Sequence, residues 1–333
     1  MTASLRIALA LLPLLTLGGA RDRAEPQLAF ASQRDGNWEI YVMAADGSRQ
    51  TRLTHRVEQD RFPAWSPDGS RIFFGSQRLG QASLWELWVM DADGGRPIRL
   101  TAGIVAKSPR SWSPDGERIL FESERDGDQE IYTIRPDGSG LTRLTYDSAA
   151  DQSPVWSPDG SQVAFASSRD GNLELYVMQA DGSRPIRLTD HPAADDNPAW
   201  SPDGRLLAFA SSRDGHRQLY LLRLADRQLT RLTADSSRDQ EPLWSPDGTR
   251  LAFQAVRGEN YDIEVLELAT HTRTRLTSDL EFDGQFGWAP DGARLAFISA
   301  RGGTEAVFLI DADGGGLTRL TSGAALNPSW SRR

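Results

Sequence analysis

Trp65-Ser66-Pro67-Asp68-Gly69 is written again with its Trp at positions 112, 156, 200 and 244. A sixth copy reads Trp288-Ala289-Pro290-Asp291-Gly292, and a truncated seventh, Trp330-Ser331, stands close to the end of the sequence. Successive tryptophans are 47, 44, 44, 44, 44 and 42 residues apart. A fixed period of this length marks a repeat architecture. The chain is one unit copied seven times.

Outward from the motif, each unit reads as four short strands. In the copy from Asp151 to Thr189, Val155-Trp156 ends an extended segment and Ser157-Pro158-Asp159-Gly160 forms a turn, in which Pro presets φ and Gly relieves the last position. Val163-Ala164-Phe165-Ala166 is a second strand, followed by the turn Arg169-Asp170-Gly171-Asn172. Leu173 to Met178 alternates and is β-rich, giving a third strand. Ala180-Asp181-Gly182-Ser183 turns again, and Ile186-Arg187-Leu188-Thr189 is the fourth.

A four-stranded meander cannot bury both faces alone, whereas copies arranged around an axis bury each other. The first copy starts at its second strand, Leu28-Ala29-Phe30, and the last residues, Asn327-Pro328-Ser329-Trp330, are a first strand with nothing after it. The two ends complete each other. The expectation is therefore an all-β, seven-bladed β-propeller of four-stranded antiparallel blades, 28 strands in all, closed by pairing N- and C-terminal strands in one blade.

Arg6, the apolar run Ile7–Leu17 and the small residues Gly18, Gly19 and Ala20 have the layout of a secretory signal peptide. The run is shorter than the roughly 20 residues a spanning helix needs. The expected organisation is a signal peptide over 1–20, a short linker over 21–27, the propeller over 28–330 and a tail over 331–333. Localisation is then periplasmic or secreted, with no membrane span in the mature chain. The absence of cysteine excludes disulfides and a lipid-modified Cys anchor. A formal net charge of −9 argues against nucleic acid, whose binding draws on Lys and Arg. All basic side chains but Lys107 are arginines, planar and bidentate.

Trp-Ser-Pro-Asp-Gly, an apolar strand ending in Ala-Phe, then Ser-x-Arg-Asp-Gly-Asn and Glu-x-Tyr-Val-Met resemble the repeat of TolB-type (PD40, WD40-like) propellers over residues 28 to 330. The resemblance implies a periplasmic protein of the Tol-Pal envelope system that docks a partner at the propeller funnel. TolB itself has six blades after an N-terminal α/β domain, whereas seven repeats are counted here. Similar repeats occur in the lid domain of prolyl oligopeptidases and in oligogalacturonate lyases, the latter seven-bladed and metal-dependent.

The aspartates of the Pro-Asp-Gly turns are read as turn caps, and the repeated tryptophans as core or inter-blade contacts. Five residues before each Trp stand Asp60, Lys107, Asp151, Asp195, Asp239, Asp283 and Ala325. These carboxylates either bond their own turns or ring one mouth of the central channel, where crowded like charges call for a cation or a basic partner group. Arg34, Arg169 and Arg213, with copies at 125, 78, 257 and 301, should open on the same face, each as a structural arginine paired with an adjacent acid. Residues that break the repeat, namely Lys107, Phe282, Phe286, Trp85 and Trp88, are candidates for an asymmetric contact site.

Asp60, Lys107, Asp151, Asp195, Asp239, Asp283, Arg34, Arg169 and Arg213 are thus the expected partner-binding residues. No catalytic residue is assigned: the sequence lacks a Gly-x-Ser-x-Gly elbow, a His-Glu-x-x-His pair, a phosphate-binding loop and a cysteine nucleophile. No cofactor is expected, with Ca2+ on Asp151, Asp195 and Asp239 as the metal alternative, since hard cations prefer oxygen ligands. Of the histidines, His55, His191 and His216 share a face, but His55 and His191 fall across the ring from each other. The functional expectation is a non-enzymatic, monomeric scaffold for a protein or peptide of the cell envelope. A metal-dependent polysaccharide lyase or hydrolase using the same funnel is the alternative.

Overall fold

The computed structural model describes residues 25–77, 85–102 and 106–332. The segment read as a signal peptide, Arg78, Arg333 and the side chain of Lys107 lie outside the described residues. Twenty-eight strands, numbered in chain order, make seven four-stranded antiparallel blades, and no helix occurs among the described residues. In blade 4, β12 (Asp151–Trp156), β13 (Gln162–Ser167), β14 (Glu174–Gln179) and β15 (Ile186–Arg187) pair in sequence order.

The turn chemistry is as the sequence implies. Gly160 N–H donates to Ser157 O at 2.9 Å, and Asp159 Oδ1 accepts from Ser157 Oγ at 2.6 Å and from Ser161 N at 3.0 Å. The same bonds, from Ser66 first and then Ser70, hold the Asp68 carboxyl down at about 2. At the other turn of this face, Gly182 has φ +86 and its missing Cβ would lie 2.7 Å from Leu144 O of the previous blade, so any side chain would push neighbouring blades apart.

Arg-Leu-Thr explains itself at the fourth strand. In all seven blades the Thr Oγ1 accepts a third-strand N–H at 2.8 to 3.0 Å. The Arg Nε donates to the carbonyl of that Thr at 2.6 to 3.1 Å. One short strand is thereby fastened at both edges of its neighbour.

Phe30, Phe74, Phe121, Phe165, Phe209, Phe253 and Phe297 occupy one second-strand position and are fully buried, each contributing about 1.5–3 kcal/mol by leaving water. The motif tryptophans join blades: the Nε1–H of Trp112, Trp244, Trp288 and Trp330 donates to Ala64, Ala199, Leu243 and Gly287 O, each on the preceding blade, at 3.0 to 3.2 Å. The ring closes as expected. β28 (Ala325–Trp330) pairs with β1 (Gln27–Ser32), β2 (Glu39–Ala44) and β3 (Thr51–Arg52) completing blade 1, and Ser331 N–H donates to Gln27 O at 2.8 Å. One departure is that a single pair, Trp85↔Ala106, joins the sheets of blades 2 and 3.

First strands are innermost. β28 touches β4 (Asp60–Trp65), β4 touches β8 (Ala106–Trp112), and the chain of contacts continues through β12 and β16 (Asp195–Trp200) to β20 (Arg238–Trp244), with β24 (Asp283–Trp288) meeting β28. Fourth strands contact chiefly their own third strand.

Candidate functional site: the aspartate face and the channel wall

Antiparallel register sets Asp151 opposite Ser167, Asp195 opposite Ser211 and Asp283 opposite Ser299, beside the turn that follows the second strand. The turn arginine folds back over both. Arg169 Nη2 lies 2.8 Å from Asp151 Oδ2, its Nε donates to Ser167 Oγ at 2.7 Å, and the guanidinium lies 5.5 and 4.7 Å from the Phe165 and Tyr176 rings. Arg213 repeats this on Asp195 at 2.6 Å and Ser211 at 2.9 Å, and Arg301 on Asp283 at 3.1 Å and Ser299 at 2.7 Å. Blade 6 solves the same problem differently. There Arg257 is drawn to Glu264 at 2.6 Å, and Arg273 of β23 (Thr272–Arg275) reaches Asp239 at 3.1 Å with both Nη atoms. Blade 1 has Ala325 in place of the acid, so Arg34 holds only Ser32 Oγ at 3.0 Å and Gln50 Oε1 at 2.5 Å.

The pairing of turn arginine with adjacent acid is therefore present, but the display of carboxylates around the mouth is not. Asp60, Asp151, Asp195, Asp239 and Asp283 are all fully buried. A carboxylate at that depth needs a counter-charge, and four of the five take one from their own blade. Burial pushes Asp151, Asp239 and Asp283 upward while their arginines pull back. The groups left at the surface of these cradles are the arginines, with 22%, 13% and 21% of the side chains of Arg169, Arg213 and Arg301 exposed.

Asp60 differs. Among the described residues neither of its oxygens has a hydrogen bond of good geometry, and burial above all, with Glu39 adding to it, raises its carboxyl to about 7 against the pull of Ser76, Arg56 and Thr54.

The channel wall contains residues that the sequence reading passed over. In six first strands the residue two positions after the Asp, or after Ala325 in blade 1, namely Phe62, Ser153, Asn197, Glu241, Gln285 and Asn327, has φ between +50 and +57, a left-handed conformation uncommon for non-glycine residues. Each coincides with a break in register against the second strand, a β-bulge that re-aims the side chain. Neighbouring blades meet through these residues: Asn327 N and Nδ2 both donate to Gln285 Oε1 at 3.0 Å. Phe62, Gln285 and Asn327, with Phe286, line a cavity of about 230 Å3 between blades 7, 1 and 2. The detectable signal was a variable position inside the Asp-x-x-Pro-x-Trp frame that four of the seven copies keep.

Of the repeat-breaking aromatics, Trp85 packs edge-on against Phe62 at 5.1 Å, Phe282 meets Tyr261 at 5.5 Å, and Trp88 carries the Arg56 guanidinium at 3.7 Å. Among the described residues no three His, Asp or Glu side chains gather so as to hold a metal. Asp151, Asp195 and Asp239 are each held by an arginine of their own blade, His55 and His216 are exposed, and His191 Nδ1 accepts from Ala193 N at 3.1 Å.

Fold and repeated cradle define a closed propeller built from TolB-type units. The model of the TolB β-propeller domain family matches residues 24–87, 148–242 and 237–333, well over half of the chain, and the chain belongs to that family. The Tol-Pal system protein TolB of Desulfosudis oleivorans is 38% identical over 60 residues, 18% of this chain and 14% of that protein. A TolB homolog of Chlorobium luteolum is 31% identical over 122 residues, 37% of this chain and 27% of that one. The chain thus aligns with less than a third of the length of these curated relatives. Among solved structures, TolB from Acinetobacter baumannii shares 21% identity at a TM-score of 0.62, covering 91% of this chain and 82% of that one. An oligogalacturonate lyase in complex with manganese shares 19% at 0.69, covering 85% of each. At such identities these structures speak for the fold alone.

Proposed function

We propose that the chain is a periplasmic or secreted, non-enzymatic scaffold that binds a protein or peptide of the cell envelope at the mouth and wall of the propeller channel. The observation that carries this reading is the ring of left-handed residues in the first strands. Backbone strain of this kind costs of order 1–3 kcal/mol per site and persists where the side chain it presents has a use. Here it presents a different side chain from almost every blade, Phe62, Ser153, Asn197, Glu241, Gln285 and Asn327, at one position of the first strand. Amides that both donate and accept, beside the apolar surfaces of Phe62 and Phe286, suit a polypeptide's main chain and side chains. Kinship with Tol-Pal proteins supports an envelope partner and a periplasmic location. The lyase alternative rests on likeness of fold, and fold does not transfer activity.

The test is capture from envelope extract by the native chain and by a Phe62→Ser, Gln285→Ser double variant. The expected result is loss of one specific partner at unchanged melting temperature; undiminished capture would place the binding surface elsewhere.

A further inference from the structure

Arg61 of β4 follows the buried Asp60, and its guanidinium lies between two indoles. The ring of Trp38 in blade 1 is 4.2 Å from it and that of Trp85 in blade 2 is 5.9 Å. Both tryptophans occupy one repeat position, immediately before Glu39 and Glu86. Gln129, Leu173, Arg217, Tyr261 and Glu305 stand there in the other blades, so this pair of indoles occurs once in the ring. Trp38 O accepts from Asp60 N at 2.7 Å, which ties the two blades together at this point. Gly75 makes room for the second indole: a Cβ there would lie 3.3 Å from Trp85 Cε3 and 3.6 Å from the Phe62 ring.

The two rings hold the cation but accept no hydrogen bond in its plane. Arg61 Nη2 donates to Gln59 Oε1 at 3.1 Å, Nε is buried without a partner, and Nη1 makes no hydrogen bond and is open to solvent. No carboxylate among the described residues lies within ion-pair distance of Arg61, and residues 78–84, which precede Trp85, contain no Asp or Glu. Burial lowers the pKa of the guanidinium, with Glu305 of blade 7 pulling the other way from farther off. At the same position of other first strands Gln152, Gln240, Gly284 and Leu326 are uncharged, and Asp196 is paired with Arg217. Phe62, the next residue, packs against Trp85 and lines the cavity shared with Phe286, Gln285 and Asn327. A partly buried cation fixed by aromatic faces, with donors to spare, is preorganised for an anion.

We propose that Arg61 receives a carboxylate of the polypeptide bound at the channel mouth, on its Nη edge, while Trp38 and Trp85 hold the guanidinium plane and an apolar side chain of the same ligand enters the cavity beside Phe62. A planar fork held in this way selects a carboxylate through two parallel hydrogen bonds. The assignment rests on the scaffold reading in that a polypeptide supplies the acid, from a side chain or from its C-terminus.

The probes are N-acetyl-L-phenylalanine, with a terminal carboxylate, and N-acetyl-L-glutamyl-L-phenylalaninamide, with a side-chain carboxylate. The neutral control is N-acetyl-L-glutaminyl-L-phenylalaninamide. Binding is followed by NMR at the indole N–H resonances of Trp38 and Trp85, assigned with Trp38→Phe and Trp85→Phe. The expected result is saturable shifts of both resonances with at least one acid probe, and the probe that binds identifies the source of the carboxylate. Affinity should be about tenfold lower for the control, and the acid probe should fall to that level in Arg61→Met, the scale of a lost charge-assisted hydrogen bond. Arg61→Met keeps an apolar stem on Trp38 and removes a desolvated charge, so the melting temperature should stay or rise. Where that variant loses stability, Arg61→Lys decides, since it keeps the charge without the fork and should bind about fivefold more weakly or less. Equal or tighter binding in Glu305→Gln supports the proposal. Absence of binding by both acid probes, equal affinity for the control, undiminished binding in the Arg61 variant that folds, or binding that appears only in Glu305→Gln each overturns it. None of these failures would touch the capture of an envelope partner through Phe62 and Gln285, so the two readings fall separately.

Discussion

Arg213 and Arg34 occupy the same place in different blades, and the difference between them predicts very different costs of removal. Arg213 faces Asp195, fully buried, at 2.6 Å, whereas Arg34 faces the position held by Ala325. Truncating Arg213 to Ala strips the counter-charge from a buried carboxylate, a loss of about 3–5 kcal/mol. Its stack on Phe209 and Tyr220, at 5.5 and 4.9 Å, adds about 0.5–1 kcal/mol. Arg34→Ala loses the corresponding stack on Phe30 and Tyr41 and two hydrogen bonds to uncharged acceptors, leaving no buried charge behind, in total about 1–2 kcal/mol. The assay is urea unfolding of both variants and of Arg213→Ala with Asp195→Asn, which removes the stranded charge. The double variant should recover most of the Arg213→Ala deficit. Equal destabilisation by the two arginine variants, or no recovery in the double variant, would refute the assignment of these arginines as counter-charges to buried acids.

Asp60→Asn should stabilise the chain at alkaline pH. The folded-state pKa is about 7 against an ordinary 3.8, so the folded chain holds this proton more tightly than the unfolded chain and loses stability as pH rises between those values. The full linkage is about 4 kcal/mol, and the gap between variant and native chain should widen from pH 4 to pH 8; a gap independent of pH would contradict it. Deleting residues 325–332 removes β28 and with it the pairing to β1 and the Trp330 bond to Gly287 O, and the whole ring should lose cooperative unfolding. An unaltered melting curve would show that closure contributes nothing. Chelator should leave the melting temperature unchanged, and a shift reversed by calcium or manganese would bring the metal-dependent alternative forward.

The architecture was legible because each level of the sequence pointed to the same answer. The 44-residue period, the Pro-Asp-Gly turn capped by its own Asp, the buried Phe, the Arg-Leu-Thr fastener and the complementary ends all have a local physical cause visible in the residue types. The site was legible only in part. Asp151 and Arg169 could be placed on one face from spacing, but 18 residues of separation do not reveal that the pair closes on itself and withdraws the acid from solvent. Only register and burial show that. The channel wall was missed because Ser153, Asn197 or Glu241 before a proline signals nothing special in a single copy. Its meaning lies in the bulge, a tertiary feature, and in comparing all seven copies at one position.

The central claim is that the aspartate face and channel wall, and not the opposite face with its Pro-Asp-Gly turns, receive a partner from the envelope. A photo-crosslinking residue placed at Gln285 in one chain and at Asp137, in a turn of the opposite face, in another tests this directly in living cells. The account predicts a discrete crosslinked protein from position 285 and none from 137. Crosslinks from 137 alone, or from neither position, would contradict it.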